Sequence, residues 1–200
     1  GFSGAGQAVA ILDTGVDSTH PFLKDRVVSE ACYSTASNST EKSSCPSGVS
    51  GETGPGSSMP PAGSSAHGTH VAGISAGQSY EGTEFSGVAK DGSIIGIQVF
   101  FGAGVDPDDP NSKPSFYVAK TVDIISGLER VFELSTSFDI ASANMSLGGG
   151  SGSSGNDYCD DASPAAKAAI DNLRYVGIAT VIASGNDGRI HGQSWPACYS

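Results

Sequence analysis

The chain has 200 residues, enough for one domain with a sizeable core, and its 21 acidic against 10 basic residues leave a formal net charge of -11. That balance disfavours non-specific attraction to nucleic acid or to an anionic membrane. Gly, Ser, Thr or a charge interrupts every apolar run before it reaches the roughly 20 residues a spanning helix needs, so a soluble chain with no membrane partner is expected.

The first apolar run, Ala8 to Leu12, is short and nearly continuous, the pattern of a parallel strand covered on both faces, and it leads directly into Asp13-Thr14-Gly15. Ser34 to Ser65 is rich in Ser, Gly, Pro and Asn without periodicity and reads as a long surface loop. His67 to Ala76 reads as a helix of small residues, opened by His67-Gly68-Thr69-His70-Val71-Ala72-Gly73. A second buried strand, Ile94 to Phe100, is followed by another loop, Gly102 to Ser115. From Phe116 to Leu134 the spacing of Val118, Val122, Ile125, Leu128 and Phe132 predicts a helix.

A weaker strand, Ile140 to Leu147, runs into Ser146-Leu147-Gly148-Gly149-Gly150. The next helix spans Pro164 to Tyr175, with Ser163 as cap, Pro164 in the first turn and Gly177 past its end. The last strand, Ala179 to Ala183, precedes Ser184-Gly185-Asn186-Asp187. Strands alternating with helices argue for a parallel α/β sheet, in which catalytic groups collect at the carboxyl ends of the strands. Asp13, the Ser146 run and the Ser184 run all fall there, whereas His67 opens a helix.

Cys32, Cys45, Cys159 and Cys198 lie in loop-like stretches with no C-x-x-C, which disfavours zinc and redox catalysis and favours disulfides. Of the three connectivities, the local one, Cys32 with Cys45 and Cys159 with Cys198, is preferred. Disulfides imply an oxidising compartment, so a secreted, extracellular or periplasmic location is expected.

A serine hydroxyl becomes a useful nucleophile when an imidazole accepts its proton and a carboxylate fixes that imidazole's tautomer. Asp13 and His67 are suited to the last two roles. In isolation they could be a strand-end turn and a helix cap, but the heptapeptide around His67 favours catalysis. The order Asp13, His67, then Ser184-Gly185-Asn186 resembles the subtilisin-like serine proteases, from Val9 to about Tyr199 and including Trp195-Pro196-Ala197. The resemblance implies a parallel-sheet fold with helices on both faces, His67 as general base, Asp13 orienting it, and Asn186 as an oxyanion donor. It also implies that Ser146, Leu147, Gly148 and Gly149, with Ser184 and Gly185, line the site where a peptide substrate pairs. Read alone, Gly148 to Gly155 could equally be a flexible connector, and Asn186 a turn residue.

The family's serine motif, Gly-Thr-Ser-Met-Ala-x-Pro, is absent. Gly56-Ser57-Ser58-Met59-Pro60-Pro61 imitates it, but Ser58 precedes His67 and the paired prolines forbid the helix that should carry a nucleophile. The 200 residues are therefore expected to be an incomplete peptidase domain, inactive alone, whose partner is the missing C-terminal part with the serine. An aspartic protease would need a second Asp-Thr-Gly. A catalytically inactive binding module is the competing class.

His70, three residues after His67, is expected to pack under its helix rather than bind metal, and His20 and His191 to lie at the surface. No cofactor is required for catalysis, although structural calcium would suit Asp106, Asp108, Asp109 and Asn111, or Asp157, Asp160 and Asp161. Solvated acidic loops are the alternative reading of both clusters.

Overall fold

The computed structural model describes residues 3–82, 84–149, 158–188 and 190–200. In chain order the elements are β1 (Ala8–Asp13), β2 (Val27–Tyr33), β3 (Glu41–Lys42), β4 (Gly51–Thr53), α1 (His67–Ala76), β5 (Ser93–Gln98), β6 (Phe100–Ala103), β7 (Phe116–Ala119), α2 (Thr121–Leu134), β8 (Ile140–Met145), α3 (Pro164–Tyr175) and β9 (Ala179–Ile182). A 3₁₀ turn, Asp160–Ala162, precedes α3. The main sheet runs β4-β2-β5-β1-β8-β9 and is parallel except for the β2–β4 pair. A small antiparallel sheet, β3-β6-β7, stands beside it.

Side chains alternate across a strand, so β1 feeds two cores. Ala8, Ala10 and Leu12 join Ile95, Ile97, Ala143 and Met145 under α2 and α3, where Ile124, Leu128, Val131, Ile170 and Leu173 close the layer. Ile11 and Ile94 pack on the other face with Ala72, Ala76, Val16 and Leu23 beneath α1. Helices therefore cover both faces of a mostly parallel sheet, as the sequence predicts.

Four expectations change. The segment Phe116 to Leu134 is not one helix: Phe116–Ala119 pairs with β6, and Lys120 is extended (φ -91°, ψ 146°) before α2 begins. The buried face of α2 is also rotated from the expected stripe, since Val122 is 54% and Phe132 40% exposed while Ile124, Leu128 and Val131 are buried. Strand β2 was unmarked by any apolar run because Ser29 and Glu30 interrupt it. Glu30 is nonetheless buried, its carboxylate accepting from the Ser58 hydroxyl (2.8 Å) and the Gly56 amide (2.7 Å). This draws Ser57 and Ser58 inward, so the expected surface loop is partly core.

Strand β9 is the fourth. It was expected to be covered on both faces, yet its residues alternate between exposed and half-buried, and Val181 is 53% exposed. The register places Val181 beside Asn144, and Asn144 beside Ile11, on the α1 side of the sheet. Helix α1 covers Ile11 but not this end.

Both preferred disulfides form. Cys32–Cys45 ties β2 to the turn after β3, and Cys159–Cys198 ties the turn before α3 to the segment after β9. No helix among the described residues is long and apolar enough to cross a membrane.

Candidate active site

Asp13 ends β1 fully buried, and His67 is the first residue of α1, its side chain 48% exposed. The two meet although 54 residues separate them: His67 Nδ1 lies 2.8 Å from Asp13 Oδ1 and 3.0 Å from Oδ2. A carboxylate accepts only, so in the neutral ring this contact places the proton on Nδ1 and leaves Nε2 as the basic nitrogen. The amide of Thr14 also donates to Asp13 Oδ1, at 2.6 Å.

The turn after β1 is fastened from three sides. Thr14 Oγ1 donates to the Ser65 carbonyl (3.2 Å) and accepts from the Gly68 amide (3.1 Å), which clamps the start of α1 to the end of β1. Gln98, fully buried and opposite Asp13 in the β1–β5 register, donates through Nε2 to the Thr14 carbonyl (2.6 Å) and accepts from the Phe100 amide (2.9 Å). Thr69, in the first turn of α1, bonds outside its own helix. Its hydroxyl accepts from the Asp17 amide (2.9 Å), a third link between α1 and the turn.

Two glycines are dictated by this closeness. Gly15 has φ +103°, and a side chain there would collide with the Ser58 carbonyl and Pro60. At Gly68 a Cβ would overlap the Gly15 carbonyl and stand only 2.9 Å from Asp13 Cβ. Gly68, Ala72, Gly73 and Ala76 form the buried side of α1, and at Gly68 the small residue is a distance requirement.

The other motif residues gather at the ends of β8 and β9. Asn144 donates to Ser146 Oγ (2.9 Å), Leu147 is buried, and Gly148 and Gly149 are exposed. The Gly149 amide donates to the Trp195 carbonyl (3.0 Å), and Ser194 donates its amide to the Ser184 carbonyl (2.9 Å), which holds the two strand-end loops against one returning segment. Gly185 lies against Ser194, and Asn186 is exposed on the turn that follows. A cavity of about 420 Å³ opens beside Leu147, Gly148 and Gly149, walled by Phe100, Tyr117 and Trp195. Gly150 and most of the glycine run lie outside the described residues.

Gln98, Ser65 and Ser194 carried no motif in the sequence, and Thr14 was marked only as part of Asp13-Thr14-Gly15. Of the first three only Gln98, a polar residue closing an apolar strand, left a readable signal.

His70 does not pack under α1 as expected. It is exposed and lines, with His20, Phe22, Ile74, Tyr80 and Phe85, a groove of about 620 Å³. His20 and His191 are exposed as expected. Of the acidic clusters, Asp106 Oδ1 accepts from the Asp108 amide and Asp109 Oδ1 from the Asn111 amide, turns internal to the loop. Asp160 accepts from the Ser200 amide (2.9 Å) and hydroxyl (2.8 Å), bonds that hold its carboxyl below the usual range, and Asp157 lies outside the described residues. Among the described residues no group of three or more His, Cys, Asp or Glu side chains is placed to hold a metal ion.

The profile of the subtilase family matches residues 4–200. Subtilisin amylosacchariticus of Bacillus subtilis subsp. amylosacchariticus is 30% identical over 211 residues, covering 100% of this chain and 40% of the relative. Subtilisin E of Bacillus subtilis (strain 168) is 30% identical over 197 residues, covering 94% of this chain and 36% of the relative. The chain thus spans less than half the length of these curated relatives. Among solved structures, the S41 psychrophilic protease superposes with a TM-score of 0.66 at 24% identity, over 98% of this chain and 51% of that one. Fervidolysin from Fervidobacterium pennivorans, described as a keratinolytic enzyme related to subtilisin, gives a TM-score of 0.63 at 27% identity, over 98% of this chain and 24% of its own. The chain belongs to the subtilase family.

Proposed function

We propose that this chain forms the part of a secreted serine endopeptidase that carries the general base and its orienting carboxylate, with the nucleophilic serine supplied by a segment outside these 200 residues. The observation that carries the reading is the Asp13–His67 contact: a buried carboxylate on Nδ1 of a half-exposed imidazole. His67 Nε2 takes the proton of the attacking hydroxyl and returns it to the leaving amine. Asp13 stabilises the imidazolium formed between those steps.

Peptide substrate lies along Ser146, Leu147, Gly148 and Gly149, whose glycines admit a strand at close range. The Asn186 side chain, exposed on the turn after β9, donates to the oxyanion. In subtilisin itself a donor of that kind contributes about 3 to 4 kcal/mol, a figure that comes here only by family membership. The uncovered α1 side of β8 and β9 gives the serine-bearing segment a surface to pack on. The two disulfides support an oxidising, extracellular setting.

Full-length protein should hydrolyse casein and be labelled by a fluorophosphonate, and His67→Ala should lose turnover by several orders of magnitude. Equal hydrolysis by His67→Ala would remove the base assignment. Peptide binding without turnover or labelling in the unmodified protein would instead indicate a binding module.

A further inference from the structure

The cations of this acidic chain are not spread evenly among partners. Lys90, Lys120 and Lys167 each lie within 2.8 Å of a carboxylate oxygen. Lys42, closing β3, and Lys113, in the β6–β7 loop, enter no ion pair among the described residues, and both line one cavity of about 430 Å³ with Ser43, Ser44, Pro61 and Tyr117. Asp106, Asp108 and Asp109 share the β6–β7 loop with Lys113 but do not line the cavity, and Asp106 and Asp109 accept from the Asp108 and Asn111 amides of that loop. Two unpaired ammonium groups in a concave, partly apolar wall focus positive potential into it, against the sign of the whole molecule.

The cavity adjoins the candidate active site on two sides. Tyr117 forms a wall of this cavity and of the one beside Leu147, Gly148 and Gly149. Pro61 to Gly63 belong to the segment that leads into His67. A peptide on the Ser146–Gly149 backbone that is adjacent to Tyr117 can therefore place a side chain between Lys42 and Lys113.

We propose that this cavity is a substrate subsite for a carboxylate side chain, selecting peptides with Asp or Glu at one position near the scissile bond. The proposal rests on the endopeptidase reading for its occupant, not for its charge. The test uses full-length protein and pairs of fluorescent peptides that differ only by Glu or Gln, with that position walked along the peptide. Affinity is read by anisotropy at low salt and at about 1 M salt, where the Debye length is about 3 Å.

At one position the Glu peptide should bind roughly five- to tenfold tighter, the scale of two partly screened ion pairs. That ratio should fall to about one in high salt and in the K42Q/K113Q double variant. A ratio near one at every position, a preference that survives in the double variant, or no binding of either peptide overturns the proposal. Turnover of the Gln peptides reports separately on the protease reading. Peptides bound but never cleaved would sink that reading while the binding ratio still decides the subsite.

Discussion

Gly68→Ala tests whether the spacing between α1 and β1 sets the base–carboxylate geometry. The added methyl would stand 2.9 Å from Asp13 Cβ and 3.1 Å from Asp13 Oδ1, and would overlap the Gly15 carbonyl. Carbon atoms rest at about 3.5 Å or more, so the start of α1 must retreat by at least about 0.6 Å. His67 is the adjacent residue, and its contacts with Asp13 at 2.8 and 3.0 Å would lengthen past useful hydrogen-bonding range. Overpacking of this kind costs about 1 to 3 kcal/mol of stability, and a misplacement approaching 1 Å costs about 10²-fold in turnover. The assay is kcat/KM of full-length protein on a peptide substrate, with urea unfolding measured in parallel. Gly73→Ala is the control, since its methyl meets only the Phe22 ring, at 3.3 and 3.5 Å. Wild-type kcat/KM in Gly68→Ala, or an equal loss in Gly73→Ala, would refute the reasoning.

Ser58→Ala should lower stability by about 1 to 3 kcal/mol in urea unfolding, because it strips a hydrogen bond from the buried Glu30 carboxylate. Fluorophosphonate labelling should persist in that variant, and its loss would revive Ser58 as nucleophile. Replacing Cys159 and Cys198 by serine opens a separation of 39 residues against 13 for Cys32 and Cys45. Chain entropy then gives losses of about 4 and about 3 kcal/mol, and calorimetry showing the reverse order would count against a loop-entropy origin. Ser163→Ala should cost only about 0.5 kcal/mol, the low end for a helix cap, since its bond to the Ala166 amide is 3.4 Å long. Glu41 has its carboxyl held below the usual value, first by the Lys120 hydrogen bond and then by the Ser37 amide. Its contribution is thus present above the ordinary glutamate range and lost as pH falls through the lowered value. Lys120→Met should flatten that acid limb of the pH–stability curve.

Asp13 and His67 were legible because each sits where a local pattern changes, one at the end of an apolar run and one at the opening of a helix. Their closure over 54 residues was not legible, because it depends on Thr14, Gln98 and Thr69, whose bonds reach between elements. Strand β7 was hidden for a different reason. Val118 and Val122 are four apart and imitate a helical stripe, but both are surface residues, so the period they completed was not that of a core. Glu30 concealed β2 in the same way: a carboxylate reads as exposed until the amide and hydroxyl that satisfy it are known, and both come from a segment 26 to 28 residues later.

The apolar character of α1 and β9 has a consequence for the placement of the proposed serine. Helix α1 presents glycine and alanine to the sheet, yet it carries Ile74, 57% exposed, on another side, next to Phe85 and Val88 in the same groove. Strand β9 likewise has an apolar sequence and an exposed Val181. Elements apolar on two sides are those that a domain covers twice. Here both bare sides lie on the face of the sheet that α1 occupies, the face at whose strand end His67 stands. A segment that buries Val181 would pack on this face, the side of the sheet from which the proposed serine can be brought towards Nε2 of His67.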